Sequence, residues 1–184
     1  ATNTTVLLTS YTHSMASGAA FSGDGFLVIN GGGVTLTMDG AVSLENLSLI
    51  SGTLNGANTL TISKALSWTG GTLGGTGVRS LPVGAVATLS GTASKSLIGP
   101  TMNNAGTFVF GGTGELLLYN GTFNNLAGGV FDYQTDANIR DWDLATPPLF
   151  VNAGTFRKTE ATGTSIIGST GGVPFVNTGL VDAQ

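Results

Sequence analysis

At 184 residues, 41% of them hydrophobic, the chain is long enough to bury a core as one domain. Only 9% of residues are charged and the formal net charge is −4, with the basic side chains Lys64, Arg79, Lys95, Arg140, Arg157 and Lys158 forming no stripe that could neutralise a row of phosphates; nucleic-acid binding is excluded on that ground. The absence of cysteine excludes disulfides and thiolate metal sites, and no apolar run approaches the roughly eighteen residues that cross a bilayer, so membrane insertion is not expected.

The opening segment, "ATNTTVLLTSYTHSMASG", lacks a basic signal-like start, and its "TTVLLT" is an uncharged strand former. Residues 1–40 read as an N-terminal cap or leading coil, continuous with repeats over 41–184 as one domain. Alternation of apolar and small polar residues then marks strands in "VTLTMDG" at Val34, "NTLTISK" at Asn58 and "VATLSGT" at Val86. "ISGTLNG" at Ile50 and "TGGTLGG" at Thr69 share Gly-Thr-Leu, and no segment shows a helical period. The 30 glycines lower helix propensity further and provide positive φ angles for tight corners. The pairs Thr35/Thr37 and Thr59/Thr61 place hydroxyls on a strand face, as in some ice-binding solenoids. Two instances do not make a flat array, and threonine is in any case a favourable strand residue.

Further along, one corner recurs: "NNAGTF" at Asn103, "NNLAGGVF" at Asn124, "VNAGTF" at Val151 and "VNTGLV" at Val176. Its asparagines, Asn104, Asn125, Asn152 and Asn177, stand 21, 27 and 25 residues apart, within the range of solenoid coils. Met102, Phe123, Phe150 and Phe175 precede the corner, and Phe108, Phe131, Phe156 and Val181 follow it. Stacked coils turn these two sets into apolar ladders and the asparagines into an amide ladder. About 23 residues per coil predicts about eight coils and a rod roughly 40 Å long at the ~4.8 Å strand spacing.

The run "LENLSLISGTLNGANTLTISKALSWTGGTLGGTG", continued by the four corners, resembles the β-helical repeat regions of large secreted or surface-attached bacterial proteins of adhesin-like type. The resemblance covers about Ala41 to Gln184. It implies a single-stranded parallel β-helix, right-handed, and a role as stalk, scaffold or adhesin at the cell surface or outside the cell. The fold class expected is therefore all-β, a β-solenoid.

Candidate chemistry is sparse. The one histidine, His13, has no carboxylate near it in sequence, and no serine sits in a Gly-x-Ser-x-Gly elbow. Parallel β-helix enzymes commonly act on polysaccharides with paired acids, which singles out "DYQTDANIRDWDL". There Asp132, Asp136, Asp141 and Asp143 could bind calcium or act as acid and base, Arg140 could neutralise a uronate, and Trp142 could stack on a sugar. The competing reading is an intercoil loop, ended by Pro147 and Pro148, whose acids keep an exposed edge soluble. The segment lacks EF-hand spacing, and "GGTLGGTGVR" has no Gly-Lys-Ser/Thr, so neither metal nor nucleotide is implied and no cofactor is expected.

The expectation is thus a noncatalytic extracellular structural solenoid: a stalk, a surface scaffold or a self-assembling filament subunit. Its partners would be copies of itself stacked head to tail, or flanking coils. The alternative is a polysaccharide-binding or polysaccharide-degrading β-helix that meets surface glycans through residues 132–143.

Overall fold

A computed structural model describes residues 4–141, 146–168 and 172–184. Every strand pairing among them is parallel, and the chain winds round three faces in turn. The first face carries Ala20–Phe21, the beginnings of the long strands Val42–Leu49 and Leu60–Trp68, then Val78–Leu81, Thr101–Asn104, Thr122–Asn125, Leu149–Asn152 and Phe175–Asn177. On the second lie Thr5–Leu8, Phe26–Ile29, the ends of the two long strands, Val86–Leu89, Thr107–Phe110, Val130–Tyr133, Thr155–Lys158 and Leu180–Ala183. The third is built from Thr12–Met15, Thr35–Met38, Thr53–Asn55, Gly71–Gly74, Lys95–Ile98, Leu116–Tyr119 and Ile139–Asp141. This is a β-solenoid of about eight turns, all-β and without a helix among the described residues.

The first two faces belong to one 15-stranded sheet, because the two long strands bend through the corner and pair along both. A β-bulge in their pairing, between Leu44 and Asn46, makes that bend. Elsewhere separate strands meet at a turn, closed by Ala85 N donating to Pro82 O at 3.0 Å in one coil and Gly129 N to Leu126 O at 2.8 Å in another. Residues 4–40 supply strands to all three faces, each in register with an equivalent in a later coil.

Side-chain alternation sends one set of residues inward, and parallel register stacks them into columns. On the second face one column runs Leu27, Leu47, Leu66, Ala87, Phe108, Phe131, Phe156. Its neighbour on the first face runs Leu60, Arg79, Met102, Phe123, Phe150, Phe175. The core is therefore aliphatic towards the N-terminus and aromatic towards the C-terminus. Within a column the rings stack, Phe108 on Phe131 at 5.3 Å and Phe131 on Phe156 at 5.2 Å between centroids. Between columns they meet edge to face, Phe108 with Phe123 at 4.9 Å and Phe131 with Phe150 at 5.1 Å. Both arrangements suit the ring quadrupole.

The corner asparagines form a directional ladder. Asn104 Nδ2 donates to Asn125 Oδ1 at 2.8 Å, Asn125 Nδ2 to Asn152 Oδ1 at 2.7 Å, and Asn152 Nδ2 to Asn177 Oδ1 at 2.6 Å. Each of the three donors also reaches a carbonyl one coil on, that of Val130, Thr155 or Leu180. The amide thus ties strand to strand across the corner inside a core where an unpaired polar group would be costly.

The glycine of the corner is needed for a different reason than turn conformation. Gly106, Gly129, Gly154 and Gly179 do not have positive φ, and neither do the ladder asparagines. A Cβ at each glycine would instead lie 2.1–2.4 Å from a carbonyl oxygen of the coil beneath. Glycine is required there by the closeness of the next coil. Gly52 and Gly71, from the Gly-Thr-Leu pair, do take positive φ and also stack, Gly71 against the Gly52 carbonyl.

Two glycines separate these effects. Gly154→Ala puts a methyl against the Gly129 and Leu126 carbonyls, whereas the site beside Gly33 is open and its φ ordinary. We expect Gly154→Ala to lower the unfolding free energy by about 1–3 kcal/mol, and Gly33→Ala to change it by less than about 0.5 kcal/mol, in urea titrations followed by circular dichroism. Equal effects would contradict the close-packed glycine column.

Candidate functional site

The acidic segment leaves the second face at Val130–Tyr133 and joins the third at Ile139–Asp141, so its carboxylates are distributed round a corner. Asp132 stands in an outer row of the second face, in register with Arg157 and then Asp182. Its Oδ2 accepts from Arg157 Nη2 at 2.8 Å and Gln134 Nε2 at 3.1 Å, while Oδ1 accepts from Thr159 Oγ1 at 2.7 Å. Burial opposes ionisation here, but the hydrogen bonds from Thr159, Arg157 and Gln134 outweigh it and hold the carboxyl below the usual aspartate range.

Asp136 lies in the turn between the two faces. Lys158 Nζ donates to its Oδ1 at 2.8 Å and the Gly163 amide to its Oδ2 at 3.1 Å, and the lysine contact above all lowers its pKa. The same ammonium donates to Thr135 O at 3.0 Å and Ser165 Oγ at 2.9 Å, and sits 5.7 Å from the centre of the Tyr133 ring. Tyr133, pushed up in pKa mainly by burial, donates its hydroxyl to Ala137 O. These bonds form a polar clasp round a depression of about 440 Å³ lined by Thr113, Gln134, Thr135, Asp136, Ala137 and Ala161.

On the third face, Arg140 Nε lies 2.9 Å from Glu115 Oε2, and Asp141 is buried in line with Leu118. Trp142 and Asp143 lie outside the described residues. The segment therefore does not assemble Asp132, Asp136, Arg140 and Asp141 on one wall. Asp132 and Asp136 are each committed to a cation that strengthens their acidity, which suits anchors of a loop better than a proton donor with a raised pKa. No group of three or more His, Asp or Glu side chains able to hold a metal occurs among the described residues. His13 extends the inner leucine column of the third face beyond Leu36, with Nε2 2.8 Å from Ser10 O.

Two buried cations escaped the reading of composition. Arg79 occupies a core position between Leu60 and Met102, and its guanidinium turns into the corner. Nη1 donates to Asn58 O at 3.1 Å and Nη2 to Gly56 O at 3.1 Å and to Gly74 O. Desolvation lowers its pKa to about 10, so it stays charged at neutral pH. Lys95 is fully buried in the column Gly71, Lys95, Leu116, Ile139, and its Nζ has no hydrogen-bond partner among the described residues. Burial lowers its pKa as well. The signal was available: Arg79 shares strand parity with Leu81, and Lys95 with Leu97.

Compared with protein-family models, curated proteins and solved structures, the chain matches none.

Two stability predictions follow from these charges. An aspartate with a lowered native pKa contributes stability that is complete above its unfolded value, about 3.9, and is lost as pH falls through the native value. Asp132→Asn should therefore lower Tm at pH 7 and flatten the decline of Tm between about pH 5 and pH 2; an unchanged acid profile would exclude Asp132 as a contributor. Lys95→Met keeps the apolar stem and removes a buried ammonium, and should stabilise the fold by about 1–3 kcal/mol. A lower Tm for this variant would mean that the ammonium is compensated in solution.

Proposed function

We propose that this chain is a noncatalytic structural β-solenoid, a segment of an extracellular or cell-surface stalk, scaffold or filament of the adhesin-like kind. The observation that carries the reading is the parallel pairing that continues from Thr5–Leu8 to Leu180–Ala183, with the core columns open at both extremes of the described residues. Val6 and Val181 both belong to the inner column of the second face, yet are 50% and 49% exposed, against 5% for Leu27 and 8% for Phe156 next to them. Among the described residues, Thr5–Leu8 and Leu180–Ala183 each pair with a strand on one side only, so their outer edges are a template for one more coil.

Either a flanking coil of the same chain or a second copy stacked head to tail would satisfy these ends with the same hydrogen bonds and column packing that join the internal coils. A heterologous contact of this kind propagates into a rod. The low charge, the lack of cysteine and the repeat resemblance support placement outside the cell. The engagement of Asp132 and Asp136 by Arg157 and Lys158 favours the structural reading over the polysaccharide one.

A charge that blocks stacking belongs in the inner column. Leu7 and Leu180 lie in outer rows, in register with Val28 and Thr155, so lysine there would point to solvent in a stacked rod. We expect the chain to form concentration-dependent head-to-tail oligomers in analytical ultracentrifugation. Val6→Lys with Val181→Lys should return it to a folded monomer. A monomer at all concentrations would refute self-stacking, leaving the ends to flanking coils. Turnover of a neutral or acidic glycan, abolished by Asp132→Asn or Asp141→Asn in a folded protein, would refute the noncatalytic reading.

A further inference from the structure

The outer surface of the third face carries an array that the linear sequence conceals. Parallel register places Thr12, Thr35, Thr53, Thr72 and Ser96 in one straight outer row, one per coil over five successive coils. Beside it, two residues along each strand, Ser14, Thr37 and Asn55 make a second row. The Thr35/Thr37 pair lies in this array; Thr61 does not, being on the first face in register with Ser43 and Ser80. The rows alternate with the inner column Leu36, Leu54, Leu73 and Leu97, each at most 2% exposed, so the hydroxyl side is the solvent side and is backed by close-packed leucine.

Three properties describe this surface. It is uncharged over these coils, whereas the same row ends farther on at Leu117 and Arg140. Its threonine hydroxyls are not engaged with neighbouring coils among the described residues. Elsewhere on the solenoid two pairs of outer polar groups do bond across coils, Asn124 Nδ2 to Asn103 Oδ1 at 2.9 Å and Arg157 to Asp132 at 2.8 Å. In the second row Asn55 is exposed and accepts from the amide of its own neighbour, Gly56, at 3.0 Å. Threonine is also stiff at χ1, so each hydroxyl and methyl is held in place before any ligand arrives.

An isolated surface hydroxyl gains little by exchanging one water for another ligand. A rigid two-dimensional set is different, because the ordering cost is already met by the fold and small gains add up over the array. The rows repeat at ~4.8 Å along the solenoid and ~6.7 Å across it, the strand spacing and twice the rise per residue. Both repeats fall close to oxygen spacings on a prism face of hexagonal ice, in two perpendicular directions. Uncharged hydroxyls can enter that lattice as water-like partners, and the methyls between them order the remaining water at the surface.

We propose that the third face, over Thr12, Thr35, Thr53, Thr72 and Ser96 with Ser14 and Thr37 alongside, is an ice-binding surface. The ligand is the water lattice itself, and the solenoid acts as the ruler that sets the hydroxyl spacing. This activity does not depend on self-stacking, although stacked copies would lengthen the array.

The test is inhibition of ice recrystallisation, with thermal hysteresis by osmometry, on the chain as it stands. Thr53→Lys with Thr72→Lys places two long cations in the middle of the array, and Thr101→Lys with Thr122→Lys makes the same change in an outer row of the first face. Circular dichroism and Tm establish that each variant is folded. The unmodified chain should inhibit recrystallisation. The third-face pair should lose about tenfold in potency or more, equivalent to roughly 1.4 kcal/mol of contact, while the first-face pair keeps it. Thr53→Val, which retains shape and methyl, should retain most of the effect and guards against a lysine variant that misfolds. A folded chain without effect on ice growth overturns the proposal. So does equal loss in the first-face control, or co-sedimentation with insoluble cellulose or chitin in place of any effect on ice.

Discussion

Parallel hydrogen bonding between successive coils, at the ~4.8 Å spacing of a β-sheet, is the constraint on which the rest of this structure depends. Two backbones that close leave no room for a side chain wherever the corner carbonyls of one coil point at the next. Glycine therefore stands at Gly106, Gly129, Gly154 and Gly179, where an added Cβ would collide with backbone oxygen. The same closeness makes identical side chains in adjacent coils near neighbours. Phenylalanines can then stack ring on ring, asparagines can hand a hydrogen bond from amide to amide, and a run of threonines becomes a ruled surface.

Stacking also determines how polar groups are tolerated in the interior. The corner amides enter the core because each has an equivalent above or below with which to pair, and Asn104, Asn125 and Asn152 are all almost fully buried. Arg79 is tolerated on other terms: among the described residues it meets no carboxylate and instead collects backbone carbonyls from the corner beside it. Lys95 has the space above Gly71 but no such acceptor among the described residues, which makes it the point of local conflict in an otherwise consistent column.

The mutual dependence of coils explains why function is read here from surfaces rather than from a cleft. Each coil buries its apolar side chains only against the coils on either side, so stability accumulates along the axis and the end layers leave Val6 and Val181 half exposed. The lateral faces, meanwhile, are repetitive by construction. Where outer residues differ in charge, as at Asp132 and Arg157, they tie coils together; where they are alike and neutral, as on the third face, they offer a lattice to whatever shares its spacing.

Alternation, the recurrent Asn-x-Gly corner and the lack of any helical period were enough to read an all-β solenoid, its approximate coil number and the two apolar sets flanking the asparagines, since those features are local and their period is visible in the chain. Register was not visible in the N-terminal half. "VTLTMDG", "NTLTISK" and "VATLSGT" look alike as strings but lie on the third, first and second faces, because the loops between them differ in length and only pairing decides which coil position each strand fills. The same irregular loops hid the row from Thr12 to Ser96. They also made residues 132–141 look like one cluster, whereas the corner divides them and cations from later coils claim Asp132 and Asp136. Composition and alternation thus determined that the chain would coil; the contacts between residues about twenty apart, which no local pattern encodes, decided what each face presents.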